Sequence, residues 1–199
     1  MPDLELENLA YENGFKAVCG VDEAGRGPLC GPVCAAAVIL PEGVQLDGVN
    51  DSKKLSEKKR EALFDVIKEK ALAYSVAFAT VEEIEEYNIL EATFLAMNRA
   101  IEGLNIKADY ALVDGNRVPR NIQIPCETVV KGDAKSLSIA AASILAKVSR
   151  DRLLLEYDKQ YPEYNFAKHK GYGTKEHIEA IKKYGPCPIH RASFLTKIK

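Results

Sequence analysis

An α/β fold with a mixed central sheet covered by helices is what this sequence predicts, and three observations lead there. Apolar runs of strand length alternate with longer stretches whose apolar residues recur at helical spacing. No repeat, low-complexity tract or Pro/Gly/Ser-rich linker divides the 199 residues, so one domain (1–199) with a sizeable core is expected. Three of the apolar runs also end at acids set in glycine-containing sequence: Asp22-Glu23, Asp114 and Asp133.

Residues 1–14 read as a short helical lead-in. Ala17-Val18-Cys19 is a short strand, and Val33 to Leu40 is a second, apolar throughout and so expected to be buried on both faces. Between them lies Gly20-Val21-Asp22-Glu23-Ala24-Gly25-Arg26-Gly27-Pro28, with Gly31 just beyond. In a regular strand two adjacent carboxylates point to opposite faces. Glycines at 25 and 27 let the chain bend there, so both acids could turn towards one site. Held together they repel, and a hard divalent cation with oxygen ligands removes that penalty. Gly25-Arg26-Gly27 adds backbone N–H groups and a guanidinium, a combination suited to a phosphate-bearing ligand. The same residue types also make a plain hairpin turn with solvated acids. The two buried-looking strands on either side favour a site.

Asn50-Asp51-Ser52-Lys53-Lys54-Leu55 is a polar loop before a helix that Ser56 can cap, with Leu63, Phe64, Ile67 and Ala71 at helical spacing. Ser52-Lys53-Lys54 reads first as surface; its functional reading is a phosphate contact, with Lys53 the candidate. From Ala73 to Thr80 a strand carries Tyr74, Val76, Phe78 and Thr80 on one face and Ala73, Ser75, Ala77 and Ala79 on the other. Such small residues predict a helix packed very close to that face. Val81–Tyr87 is a short acidic helix with a solvated face, and Ile89–Ile101 a longer one.

Ala108 to Val113 is a strand that ends at Asp114-Gly115-Asn116, and Ile122 to Val130 another that ends at Lys131-Gly132-Asp133. Turn chemistry and helix capping each explain one of these acids. They do not explain the recurrence at three strand ends. A helix from about Ser136 to Tyr157 has Leu137, Ala140, Ala141, Ile144, Leu145 and Val148 on its core face. Ser143, Lys147 and Asp151 form a polar stripe. Lys before Asp is the weaker order for a local pair, so tertiary partners near the acids are expected, with Asp151 behind them. The rest is loop-rich around His169-Lys170-Gly171-Tyr172-Gly173-Thr174, a helix near Lys175–Tyr184, and Gly185-Pro186-Cys187-Pro188. Tyr172, between two glycines, reads as an exposed aromatic suited to stacking on a sugar or base. Cys187-x-x-His190 is a lone half-site, so no structural zinc is expected.

The net charge of −2 hides a segregation. Residues 1–50 hold eight acids against two bases; residues 165–199 hold eight bases against two acids and all three histidines. A basic end opposite an acidic cluster is what a phosphate-backbone partner needs. Five cysteines are an odd number and three look core-embedded, which favours reduced thiols and a cytoplasmic location. The acidic N-terminus does not resemble a signal peptide, and no run approaches a membrane span.

Four carboxylates are too many for one general acid/base pair. They fit two Mg²⁺ or Mn²⁺ ions roughly 4 Å apart, the arrangement that drives in-line phosphodiester cleavage. A metal-dependent nucleotide phosphatase would use similar acids but needs neither the basic end nor Tyr172. A non-catalytic nucleic-acid-binding domain would leave four acids repelling the phosphates they face.

Several blocks resemble the ribonuclease HII family. They are Gly20 to Pro28, Asn50 to Leu55, Val113-Asp114-Gly115-Asn116, Val130-Lys131-Gly132-Asp133, Ser138 to Asp151 and His169-Lys170-Gly171-Tyr172. These are collinear from about residue 15 to 195; Ser149 stands where threonine is expected, a mild change. The resemblance implies a ribonuclease H-like core (about 15–160) with a C-terminal helical extension for substrate binding (about 161–199). It implies an endonuclease that cuts RNA–DNA hybrids and single ribonucleotides embedded in duplex DNA; a monomer is expected. Asp22, Glu23, Asp114 and Asp133 would bind the metals, Gly25-Arg26-Gly27 would read the ribose 2′-OH, and Tyr172 would stack on the next deoxyribose. Lys53, Ser143, Lys147 and Lys170 complete the expected substrate contacts. No sliding-clamp-binding tail, such as some relatives carry, is expected after Phe194.

Overall fold

A computed structural model describes residues 1–50 and 52–198. Asp51, within the polar loop read above, lies outside the described residues. The sheet has five strands: β1 (Val18–Ala24), β2 (Val33–Ile39), β3 (Ala73–Ala79), β4 (Tyr110–Asp114) and β5 (Cys126–Val129). Their order is β3-β2-β1-β4-β5. β1 pairs antiparallel with β2 and parallel with β4; β2–β3 is antiparallel and β4–β5 parallel. The parallel set β1, β4 and β5 therefore ends on one edge of the sheet. β1 carries Asp22 and Glu23, β4 ends at Asp114, and β5 leads into the turn that carries Asp133.

β2 shows how its neighbours cover both faces. Val33, Ala35, Ala37 and Ile39 join one core with Ala92, Ala96, Met97 and Ala100 of α4 (Ile89–Glu102). Cys34, Ala36 and Val38 join the other with residues of α2 (Glu57–Lys70) and α5 (Leu137–Gln160). Period-two alternation thus splits one apolar strand between two cores. The small-residue face of β3 does receive a close helix: Ser75 meets Gly103 after α4, where any Cβ would overlap the serine hydroxyl. Before α4, Thr80 leaves the strand to form a capping box with Glu83 at the start of α3 (Val81–Tyr87).

Some features differ from expectation. β1 does not stop before the acids but runs through them to Ala24, because its ladder with β2 continues as Asp22–Ala36 and Glu23–Ala35 pairs. The strand expected from Ile122 begins only at Cys126; Pro125 has no N–H to donate to a ladder, although its carbonyl still accepts from Ala111. α5 is buried nearly all round from Leu137 to Ala146, not on one face alone. Its small residues permit this: Gly20 of β1 touches the Ser138–Ile139 backbone so closely that a side chain would not fit. The N-terminus of α5 is capped by Ser136 and again by Glu7 of α1 (Glu5–Glu12), a 3% exposed carboxylate that accepts from the Ser138 N–H and from the Ser136 and Ser138 hydroxyls.

The C-terminal part adds α6 (Phe166–His169) and α7 (Lys175–Tyr184) around Cys30, Leu154, Tyr164, Phe166 and Ile181. The basic end is less uniformly a surface than its composition suggested. All three histidines and Arg191 are buried. No described helix is long and apolar enough to cross a membrane.

Candidate active site

The register of the sheet places the acids. Val21 pairs with Val113, so Asp22 and Asp114 follow side by side at the ends of β1 and β4. Ligand oxygens of Asp22, Glu23 and Asp114 all lie within 4.8 Å of one another. Asp133, in the short turn after β5, lines the same cavity. The Asp22 carboxylate accepts from the Glu23 N–H at 2.7 Å, and Asp114 Oδ1 accepts from the Gly132 N–H at 2.7 Å. The second bond ties the turn carrying Asp133 to the end of β4.

Burial first, then the charges of Glu23 and Asp114, raise the Asp22 carboxyl well above its ordinary range. Burial also raises Glu23, opposed by Arg26, whose guanidinium lies 3.7 Å away. One arginine beside several crowded, part-buried carboxylates leaves an excess of negative charge. This all-oxygen donor set suits a hard divalent cation.

The cavity of about 200 Å³ is walled by Ala24 to Gly27, Ser52, Lys53, Ser143, Lys147 and Tyr172. Ser52 is buried, against the surface reading, and its hydroxyl shares a 2.7 Å hydrogen bond with that of Ser143. Arg60 holds the same turn by donating to the Ser52 and Leu55 carbonyls. Lys147 pairs locally with Asp151 at 2.8 Å despite the weaker order. The tertiary partners exist too: Arg60 lies 4.0 Å from Asp151, and the Lys147 ammonium sits 5.7 Å from the Tyr172 ring centre. Tyr172 is 43% exposed. Lys170 and Asp151 do not line the cavity. The Lys170 ammonium donates to the Ala167 carbonyl and lies 3.7 Å from Glu57. A second polar groove, lined in part by Asn116 and Arg117, adjoins the first across Glu23, Arg26 and Asp114.

The family model for ribonuclease HII matches residues 19–197. The chain belongs to the ribonuclease HII family. A ribonuclease HII of Endomicrobium trichonymphae is 62% identical over 184 residues, 92% of this chain and 88% of the relative. The ribonuclease H2 of Pyrococcus horikoshii superposes with a TM-score of 0.75 at 31% identity, covering 89% of this chain and 93% of the other. A ribonuclease HII of Archaeoglobus fulgidus, solved in complex with PCNA, gives 0.76 at 27% identity, covering 89% and 94%. As a member of this family, the chain is a metal-dependent endoribonuclease of the ribonuclease H type.

Sequence reasoning missed the arginines behind the ribonuclease HII cavity. Arg150 is 1% exposed and donates to the carbonyls of Cys30, Pro32 and Lys170, joining the loop after β1 to the loop that carries Tyr172. Arg191 donates to the carbonyls of Gly25, Arg26, Pro28 and Gly31. Nothing local in the sequence distinguishes either from the usual exposed arginine. Neither has an acid at helical spacing that would form a favourable surface pair.

The Tyr172 loop is also held by a histidine relay. His177 Nδ1 lies 2.9 Å from the Tyr172 carbonyl, which can only accept, so this nitrogen carries the proton. His177 Nε2 must then accept from His190 Nε2 at 3.0 Å, and His190 Nδ1 accepts from the Cys187 N–H at 2.9 Å. The relay thus needs both rings neutral. Burial, the largest effect, pushes His177 down to about 4. Between that value and the ordinary 6.5, the unfolded chain binds a proton that the folded chain refuses. Stability is therefore fully present above about 6.5 and falls as pH drops towards 4, by on the order of 3 kcal/mol at most from this group. Urea unfolding across that range checks it, and a His177→Gln variant should have a shallower slope, since burial also lowers His169 and His190. An unchanged slope would assign it to other groups.

Proposed function

We propose that this enzyme hydrolyses the RNA strand of RNA–DNA hybrids and cuts on the 5′ side of single ribonucleotides embedded in duplex DNA, so beginning their removal. The observation that supports this reading is the lining of one cavity by the acids, by Gly25-Arg26-Gly27 and by Tyr172. A phosphodiester reader with a ribose test and a sugar-stacking ring needs these parts within one nucleotide's reach.

In this reading Asp22, Glu23, Asp114 and Asp133 hold two Mg²⁺ or Mn²⁺ ions. When bound, such a pair supplies an activated water and neutralises the leaving oxygen. Water oxygen joins phosphorus and the bond to the upstream 3′-oxygen breaks, leaving a 3′-hydroxyl and a 5′-phosphate. Backbone N–H groups of Gly25-Arg26-Gly27 meet the 2′-OH, because two of the three residues have no side chain to hold the ribose away. A deoxyribose leaves those donors unpaired, which disfavours it. Lys53 and Lys147 neutralise phosphate, with Ser143 as a further polar contact. Residues 161–199 extend the single domain as a substrate-binding part, and the enzyme works as a monomer.

The deciding test is cleavage of duplex DNA containing one ribonucleotide, with and without Mg²⁺, mapped at nucleotide resolution. One Mg²⁺-dependent cut on the 5′ side is expected. A cut elsewhere, or equal cutting of all-DNA duplex, would sink the reading.

The basic end has its own test. Replacing Lys170, Lys175 and Lys182 by alanine should weaken binding to all duplexes alike and flatten the salt dependence, by about 0.9 in the log–log slope for each phosphate no longer neutralised. Lys175 and Lys182 are exposed, whereas Lys170 is held within the protein, so the first two should carry most of the change. An unchanged slope would place these lysines away from the duplex.

A further inference from the structure

Arg191 is wholly buried, and among the described residues it forms no ion pair with a carboxylate. A buried cation without an anion is costly, and four neutral carbonyls take the anion's place here. Nε donates to Gly31 at 2.9 Å, Nη1 to Arg26 at 3.0 Å and Pro28 at 2.9 Å, and Nη2 to Gly25 at 2.6 Å. Only the flat fork of a guanidinium can serve so many acceptors at once.

This grip has a consequence on the other side of the loop. Among the described residues no peptide bond is cis, and in a planar trans peptide the C=O and the following N–H point in opposite directions. Turning the Gly25 carbonyl towards Arg191 turns the Arg26 N–H away from it. Turning the Arg26 carbonyl inward does the same for the Gly27 N–H. Neither N–H donates to an acceptor among the described residues, and both residues line the cavity that holds the acids. Charge-assisted bonds to the carbonyls also polarise those peptide groups, which strengthens their N–H ends as donors.

We propose that Arg191 is a positioning residue for ribose recognition: its fork holds the Gly25 and Arg26 carbonyls on one side of the loop so that the Arg26 and Gly27 N–H groups face a 2′-oxygen in the cavity. The inference rests on the reading of Gly25-Arg26-Gly27 as the ribose reader. Arg191 itself touches no substrate. It acts through the loop and governs selectivity, not the general attraction for phosphate.

Arg191→Lys separates these roles, because it keeps the charge but reaches fewer carbonyls. Binding is measured with Ca²⁺ as the divalent ion, on a DNA duplex with one ribonucleotide and on the same duplex without it. The variant is expected to lose about tenfold of the wild-type preference for the ribonucleotide, the scale of one good hydrogen bond, while all-DNA affinity moves by less than about threefold. As a second variant, Arg191→Ala is measured with and without methylguanidinium, which can occupy the vacated space; recovery of the preference is expected. A folded Arg191→Lys protein with wild-type preference would overturn the proposal. So would loss of fold in both variants without rescue, since Arg191 would then serve stability alone. If the wild type itself failed to prefer the ribonucleotide, the reading of the loop would fall instead, which is a distinct result.

Discussion

Asp114→Asn is expected to abolish cleavage in a protein that still folds. The asparagine keeps an oxygen where Asp114 Oδ1 accepts from the Gly132 N–H, so the turn carrying Asp133 retains its anchor. What disappears is one negative charge within 4.8 Å of the Asp22 and Glu23 oxygens. The loss of turnover should exceed the roughly 10- to 100-fold that disturbing an outer-shell partner of a metal site costs. Duplex affinity should hold or rise, because repulsion of phosphate also falls. Near-normal turnover of the folded variant at low Mg²⁺ would remove Asp114 from the metal-holding set.

The same substitution makes a prediction about stability without metal. Asp22 has a raised folded-state pKa, caused by burial and then by its carboxylate neighbours. Over the range from its ordinary value near 3.9 upwards, the folded protein holds a proton that the unfolded chain releases. Metal-free stability therefore falls as pH rises through that range. Asp114→Asn should soften the fall, and Mg²⁺ should raise the melting temperature of the unaltered protein more than that of the variant.

Tyr172→Ala should show a different pattern, a loss that depends on the substrate. The ring is 43% exposed beside the cavity, with the Lys147 ammonium 5.7 Å from its centre. Stacking on a nucleic-acid unit is worth about 1–3 kcal/mol, or roughly 5- to 150-fold. If the ring tests the sugar after the ribonucleotide, it lies flat only where no 2′-OH intervenes. A single embedded ribonucleotide then meets the full loss, and the interior of a long hybrid meets little of it. Equal losses on both substrates would assign Tyr172 to general binding.

The acids were legible because each sits after an apolar run, and the parallel arrangement of β1, β4 and β5 brings those run ends to one edge. Their convergence follows from topology, which no local window contains. Alternation alone sends Asp22 and Glu23 to opposite faces, but the glycines that follow predict that both can turn to one site, and their oxygens do share one cluster at the strand end. The expected Ile122 strand shrank at Pro125, a residue whose missing N–H was readable and was outweighed by its apolar neighbours. The all-round burial of α5 was harder to read. Its polar Ser138 and Ser143 are buried because they find partners from distant elements: Ser138 meets Glu7 and Ser143 meets Ser52. Arg150 and Arg191 were invisible for a related reason: their partners are carbonyls, and every residue has one.

The grip of Arg191 on residues 25–31 also bears on the order in which the enzyme comes into being. A chain made from its N-terminus has all four acids by residue 133, and proteins begin to fold as they are synthesised. Arg191 follows its partner Gly25 by 166 residues, so the loop cannot close around it until almost the whole chain exists. If that loop reads the ribose as proposed, the nascent enzyme gathers its charge before it can recognise its substrate, and discrimination is the last property to be installed.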